Sequence, residues 1–159
     1  MKQDAVKGVA QGLQLLRSHQ MDVRFHGDSM LPFLYDGDRV IVEAVDWNDI
    51  RVGDLIAYRL EDKFPTRRVV RRGGDSLLLW CDNWPDLRFR VRREQVLGRA
   101  IARERDGTRL HRSDGEWNAA TDRGLAIFRR WRARRTLKTV RIAAGRLLRL
   151  CRPWARPAR

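Results

Sequence analysis

Between Val23 and Trp80 the chain breaks into short β-branched runs parted by turn residues: VRF at 23–25, VIVEAV at 40–45, LIAYRL at 55–60, RRVVR at 67–71 and SLLLW at 76–80. Runs this short, bounded by Gly, Asp and Pro, read as strands. Gly73-Gly74 separates two of them, and Asp106-Gly107 separates QVLGRAIARER from TRLHR. Both dipeptides tolerate the positive φ of tight primed turns and therefore predict hairpins. GDRVIVE (37–43) and GDLIAYR (53–59) echo one another as Gly-Asp turns feeding apolar strands, but two copies do not make a repeat architecture. The body of the chain is β-rich.

Helical patterns flank that body. Val6, Val9, Leu13 and Leu16 recur at three- and four-residue spacings with Asp4 available as a cap, which predicts an N-terminal helix within residues 1–20 that packs on the body. Gly8 and Gly12 lower its propensity. At the other end, SDGEWNAATDRG (113–124) is polar and turn-rich, and predicts a linker between a β domain at 21–112 and a tail at 125–159. In the tail, Leu137, Val140, Ala144, Leu147, Leu148 and Cys151 fall on one helical arc, with Lys138, Arg146, Arg149 and Arg152 beside or opposite it. The expected element is a basic amphipathic helix ended by Pro153 and Pro157. The fold class is thus β-rich α+β.

Charge sharpens that division. The formal net charge is +14, yet residues 1–122 hold 21 basic and 20 acidic side chains while residues 123–159 hold 13 basic ones and no acid. A near-neutral body with a basic appendage points to an anionic surface as partner. The tail either packs on the body by its apolar arc or lies in a membrane interface. Nucleic acid ranks below both, because no DNA- or RNA-binding motif accompanies the charge. Cys81 and Cys151 fit no metal or CxxC spacing, so neither a metal site nor a disulfide framework is expected, and no cofactor motif is present. The N-terminal stretch lacks the apolar core of a signal peptide and no stretch nears the roughly 20 apolar residues of a spanning helix, which makes a cytoplasmic protein, peripheral at the membrane through its tail, the expectation.

The stretch HGDSMLPFLYDGDRV (26–40) carries the candidate chemistry. Gly27 permits close backbone approach, Ser29 leaves the strand at a turn, and Pro32 stiffens the exit, so a hydroxyl and its own backbone N–H can hold a fixed geometry toward an oxyanion. The alternative is a serine that only satisfies a loop. Five ordered segments favour the first reading: Gly27-Asp28-Ser29-Met30-Leu31-Pro32, Asp36-Gly37-Asp38-Arg39-Val40, Val52-Gly53-Asp54-Leu55, Arg67-Arg68-Val69-Val70 and Cys81-Asp82-Asn83. Together, from about Val23 to about Glu104, they resemble the boxes of the signal peptidase and LexA-like serine peptidases.

That resemblance implies a coiled, mostly antiparallel β fold, a peptide or protein substrate, and Ser29 as nucleophile with Gly27, Met30 and Pro32 shaping the substrate side of the turn. It also implies a base immediately before Arg-Val-Val, lysine or histidine in the family, where this chain has Arg67. A guanidinium offers no lone pair to take a proton, so it cannot act as those bases do. His26 is the candidate substitute, Lys63 reads as a surface charge, and His111 lies on a late strand. Asp82 stands at the family's supporting acid, either orienting a histidine or pairing with Arg67. Gly27 occupies the position where bacterial signal peptidases often add a serine hydroxyl to the oxyanion hole. Without the N-terminal anchor of the family's membrane enzymes, either a cytosolic substrate or attachment to a membrane surface through the basic tail is expected, and without an upstream helix-turn-helix a self-cleaving repressor is not. Two functions follow: a serine endopeptidase with an unusual base, or a peptide-binding module that no longer cuts.

Overall fold

The computed structural model describes residues 20–84 and 86–150, with side chains to residue 136. Eight strands are present among them: β1 (Met21–Arg24), β2 (Arg39–Glu43), β3 (Leu55–Tyr58), β4 (Thr66–Arg72), β5 (Ser76–Trp80), β6 (Arg88–Arg92), β7 (Val96–Arg105) and β8 (Thr108–His111). One helix follows, α1 (Gly115–Leu150). The strands form one sheet in the order β1-β2-β7-β3-β4-β5-β6, with β8 paired to β7. Every pairing is antiparallel.

The long strand β7 is the hub. It pairs β3 from Val96 to Arg99, β2 from Arg99 to Glu104, and β8 from Ala102 to Arg105. Register shifts at Ile41/Val42, Ala57/Tyr58 and Val69/Arg71 bend the strands there, because an extra residue on one side raises the local twist. The sheet therefore coils instead of lying flat. Gly73-Gly74-Asp75 joins β4 to β5 and Asp106-Gly107 joins β7 to β8, so both hairpins form where expected; Asp106 and Gly107 have the positive φ of the expected turn, whereas Gly73 and Gly74 do not.

The sheet is covered on both faces at its centre. All four residues of β3 are buried. Leu55 and Ala57 pack with Phe25, Met30, Phe33, Leu34, Val40, Val42 and Trp117. Ile56 and Tyr58 pack on the other side with Trp47, Ile50, Val69, Leu77, Leu79 and Val91. This is why LIAY is continuously apolar. At the edge, β6 alternates instead: Arg88, Arg90 and Arg92 are exposed, while Val91 is buried and Phe89 half-buried.

The helix opens at Asp114, whose carbonyl accepts from Asn118 N–H (3.2 Å) and whose carboxylate accepts from His111 N–H (2.7 Å). Trp117, Gly124, Leu125 and Phe128 then recur on its buried face. Trp117 meets Phe33 edge-on at 4.8 Å between ring centroids, and Phe128 meets Trp80 at 5.1 Å. Among the described residues no helix is long and apolar enough to cross a membrane.

The expected fold needs correction at its ends. The sheet carries a single α-helix among the described residues, the C-terminal one, and not a helix at each end. The first described element is β1, where Met21 and Val23 alternate with exposed Asp22 and Arg24, so the two-residue period already governs there. The N-terminal helix expected within 1–20 falls on residues 1–19, outside the described residues, and the apolar arc read from Leu137 onward concerns side chains that are likewise outside them. The helix also begins inside the segment 113–124 expected as a linker, because Trp117, Gly124 and Leu125 keep a helical period beneath its polar residues.

Candidate active site

The serine turn hangs from the end of β1. Phe25 N–H donates to Asp38 O (2.8 Å) and Gly37 N–H donates to Phe25 O (2.9 Å), which close the base of the 26–37 loop. Gly27 and Gly37 take φ of +93° and +86°, conformations that side chains bearing a Cβ rarely adopt. Inside the loop, Leu31 N–H donates to Asp28 O (3.1 Å), and both Phe33 and Leu34 donate to Met30 O. Met30 is fully buried in the core and anchors the turn, leaving Ser29 half-buried one residue before it, with Pro32 exposed beyond.

A second segment holds the turn from outside. Asn83 N–H donates to Ser29 O (3.1 Å), and the Trp84 indole N–H donates to the Asp28 carboxylate (3.2 Å). The Ser29 hydroxyl and the Ser29 N–H find no hydrogen-bond partner among the described residues. Both groups are thus available to an incoming carbonyl, and neither is held by a base.

Asp82 does not pair with Arg67, one of the two roles read from the sequence. Its carboxylate accepts two charge-assisted bonds from Arg68, Nε to Oδ1 at 2.8 Å and Nη2 to Oδ2 at 2.6 Å, in a pair that is 0% and 2% exposed. Strand alternation decides this: Arg68 lies opposite Trp80, and Asp82 follows Trp80 by two residues. Arg68 Nη1 also donates to Gly53 O (3.0 Å) and Thr121 Oγ1 (3.3 Å), tying β4 to the approach to β3 and to α1. No sequence box marked Arg68 for a role; the parity of the strand was the available signal.

Arg67 points to the other face. Its Nη1 donates to Thr66 O (2.8 Å), its guanidinium lies 5.8 Å from the Phe89 ring centroid, and its Nε is buried without a partner among the described residues. Burial pushes the Cys81 thiol up, with the neighbouring Arg67 charge pulling it back. Burial likewise pushes the Tyr58 hydroxyl up to about 12, again against Arg67. Arg67 therefore occupies a half-buried niche between Tyr58, Cys81 and Phe89.

His26 is turned to solvent, 73% exposed, with Nδ1 3.5 Å from the Asp36 carboxylate, which also accepts from Gly27 N–H (2.7 Å). His26 and Arg67 line one groove of about 520 Å³ with Val23, Val40, Lys63, Phe64 and Thr66. Ser29 is not part of that lining. The groove runs between β1 and the entry to β4, and among the described residues β1 pairs only with β2, which leaves its outer backbone edge without a strand partner among them. Such an edge can take an extended peptide by strand addition, and Ser29 stands five residues beyond the end of β1. Lys63 sits in the tight turn closed by the Leu60–Lys63 bridge, and His111 bonds Ser113 far along the sheet.

The family model described as Peptidase S24-like matches residues 9–101, which contain β1 to β6, the serine turn and both partners of the buried Arg68–Asp82 pair. A search of curated proteins returned no match. The span exceeds half of the 159 residues, and this chain belongs to the Peptidase S24-like family.

Proposed function

We propose that this protein binds extended peptide segments along β1, in the groove shared by His26 and Arg67, and presents a peptide carbonyl to Ser29 without an effective general base. The observation that carries this reading is the unengaged Ser29 hydroxyl and N–H combined with arginine at the family's base position. A serine hydroxyl attacks a carbonyl only when a neighbouring group takes its proton, and a guanidinium has no lone pair for that. The niche around Arg67 would suit a neutral lysine, since burial disfavours the charged ammonium. Hydrolysis by the native chain is accordingly slow or absent, and the groove works as a peptide clamp.

A second reading keeps full endopeptidase activity, with Ser29 as nucleophile and His26 as base. Its support is the Asp36 carboxylate beside His26 Nδ1, a placement that can orient an imidazole. A fluorophosphonate probe separates the two. Arg67→Lys is expected to increase labelling of Ser29 by about 100-fold or more, the usual contribution of a positioned base, while Ser29→Ala abolishes it. Fast labelling of the native chain that disappears in His26→Ala would establish the second reading instead.

The basic helix is proposed to hold the protein at an anionic bilayer. Arg129, Arg130, Arg132, Arg134 and Arg135 are exposed in one stretch of α1. Changing Arg129, Arg130, Arg132 and Arg134 to glutamine should lower partition onto phosphatidylserine vesicles by about fivefold per residue, and 0.5 M salt should have a similar effect on the native chain. Equal sedimentation of native and variant chains would remove this proposal.

A further inference from the structure

Away from the groove, a cavity of about 330 Å³ opens between the loop after the serine turn, the ends of β7 and β8, and the inner side of α1. Phe33 and Tyr35 come from the loop, Arg103 and Arg105 from β7, and Arg123 and Ile127 from the helix. Its charge arrangement is unusual. Arg103 Nη1 and Arg105 Nη2 both donate to one carbonyl oxygen, Phe33 O, at 2.8 and 3.3 Å. Two like charges thus converge on a single neutral acceptor.

Only one of the two has a carboxylate. Arg105 makes a bidentate pair with buried Asp38, at 2.7 and 2.6 Å, and stacks on Tyr35 at 4.0 Å. Arg103 has no ion-pair partner among the described residues, and its Nε is buried without a hydrogen bond. Burial, reinforced by the Arg105 charge, pulls the Arg103 guanidinium below its ordinary value, against the attraction of the more distant Asp38 and Glu116 carboxylates. Asp82 also faces the cavity, but Arg68 answers it. What remains at the walls is Arg103 and Arg123 against Glu116, which forms no ion pair with either among the described residues. The cavity therefore carries a net positive charge beside apolar surface from Phe33, Leu110, Ala120 and Ile127.

We infer that this cavity is a binding site for a small organic anion, a carboxylate or phosphate attached to an apolar body, with Arg103 as its principal ligand. Guanidinium forks match carboxylate and phosphate oxygens, and a half-buried one gains more from an anion than an exposed one does. The anionic group sits against Arg103 with Arg123 closing from the helix, and the apolar body lies toward Tyr35 and Ile127. The inference stands apart from the peptide groove and from whether Ser29 cleaves anything.

Calorimetric titration of the full chain tests it with four probes: N-acetyl-leucine, phenyl phosphate, inorganic phosphate and the uncharged N-acetyl-leucinamide. At least one of the first two should bind at least tenfold tighter than the amide, and their order tells carboxylate from phosphate. Arg103→Gln should weaken that binding at least tenfold while melting close to the native temperature, since it removes no ion pair among the described residues. Arg123→Gln should weaken it by a smaller factor. The inference is overturned if neither organic anion binds, if the amide binds equally well, or if Arg103→Gln binds as the native chain does.

Discussion

Asp82→Asn is expected to remove roughly 3–5 kcal/mol of folding stability, the usual cost of deleting one partner of a buried ion pair. Arg68 would keep its full charge at a site with no exposed surface, and the bidentate match with the carboxylate would be lost. Its remaining bonds, to Gly53 O and Thr121 Oγ1, are with neutral acceptors and do not compensate a buried cation. The helix leaves no room for relief: a Cβ on Gly124 would already lie 2.9 Å from Arg68 Nε. Domains of this size hold about 5–15 kcal/mol in total, so the loss is a large share of it. Urea unfolding monitored by tryptophan fluorescence gives the measurement. The paired change Arg68→Met with Asp82→Leu should recover part of the loss, because it leaves no charge buried. A single-variant effect below about 1 kcal/mol would show that water reaches the site. The serine turn should loosen too, since the next residue, Asn83, holds Ser29 O.

Gly98→Ala is the second large effect, with an expected cost of about 3 kcal/mol, at the upper end of ordinary overpacking. Gly98 lies on β7 opposite Ala57 of β3, where the last residues of β2 come closest. An added methyl group would fall 2.8 Å from Val42 Cγ1 and 3.0 Å from the Glu43 carbonyl carbon, and nearer still to the Glu43 carbonyl oxygen. Backbone atoms in a paired strand cannot turn aside as a side chain can. The junction of β2, β7 and β3 would have to open, and the Arg99–Glu43 ion pair at 3.1 Å spans that point. A variant that unfolds within 1 kcal/mol of the native chain would show that the junction yields cheaply.

The parts of the fold that were legible in the sequence are those set by neighbours in the chain. Gly73-Gly74 and Asp106-Gly107 name their hairpins because turn residues act locally, and the runs at 40–45, 55–60, 67–71 and 76–80 overlap β2 to β5. The turn around Ser29 was legible too, down to the need for Gly27. What escaped depends on contacts across the sheet. The ten residues of β7 bond three different strands, and no local pattern announces a hub. Arg67 and Arg68 are chemically identical, and only the pairing of β4 with β5 sends one to Asp82 and the other to Tyr58 and Phe89. The start of α1 was hidden because its exposed Asn118, Asp122 and Arg123 look like a loop until Trp117 and Leu125 are seen to share one buried side. Arg103 gave no signal at all, since its lack of a counter-ion is a property of the assembled walls.

Among the described residues the outer edge of β6, last in the sheet order, pairs with no other strand, an invitation to a second copy. Self-pairing in antiparallel fashion would bring Arg90 against its own twin and Arg88 against the twin of Arg92, roughly 5 Å apart at each rung. The guanidiniums at alternate positions therefore act as a repellent fringe, which discourages the protein from stacking into ribbons along that border.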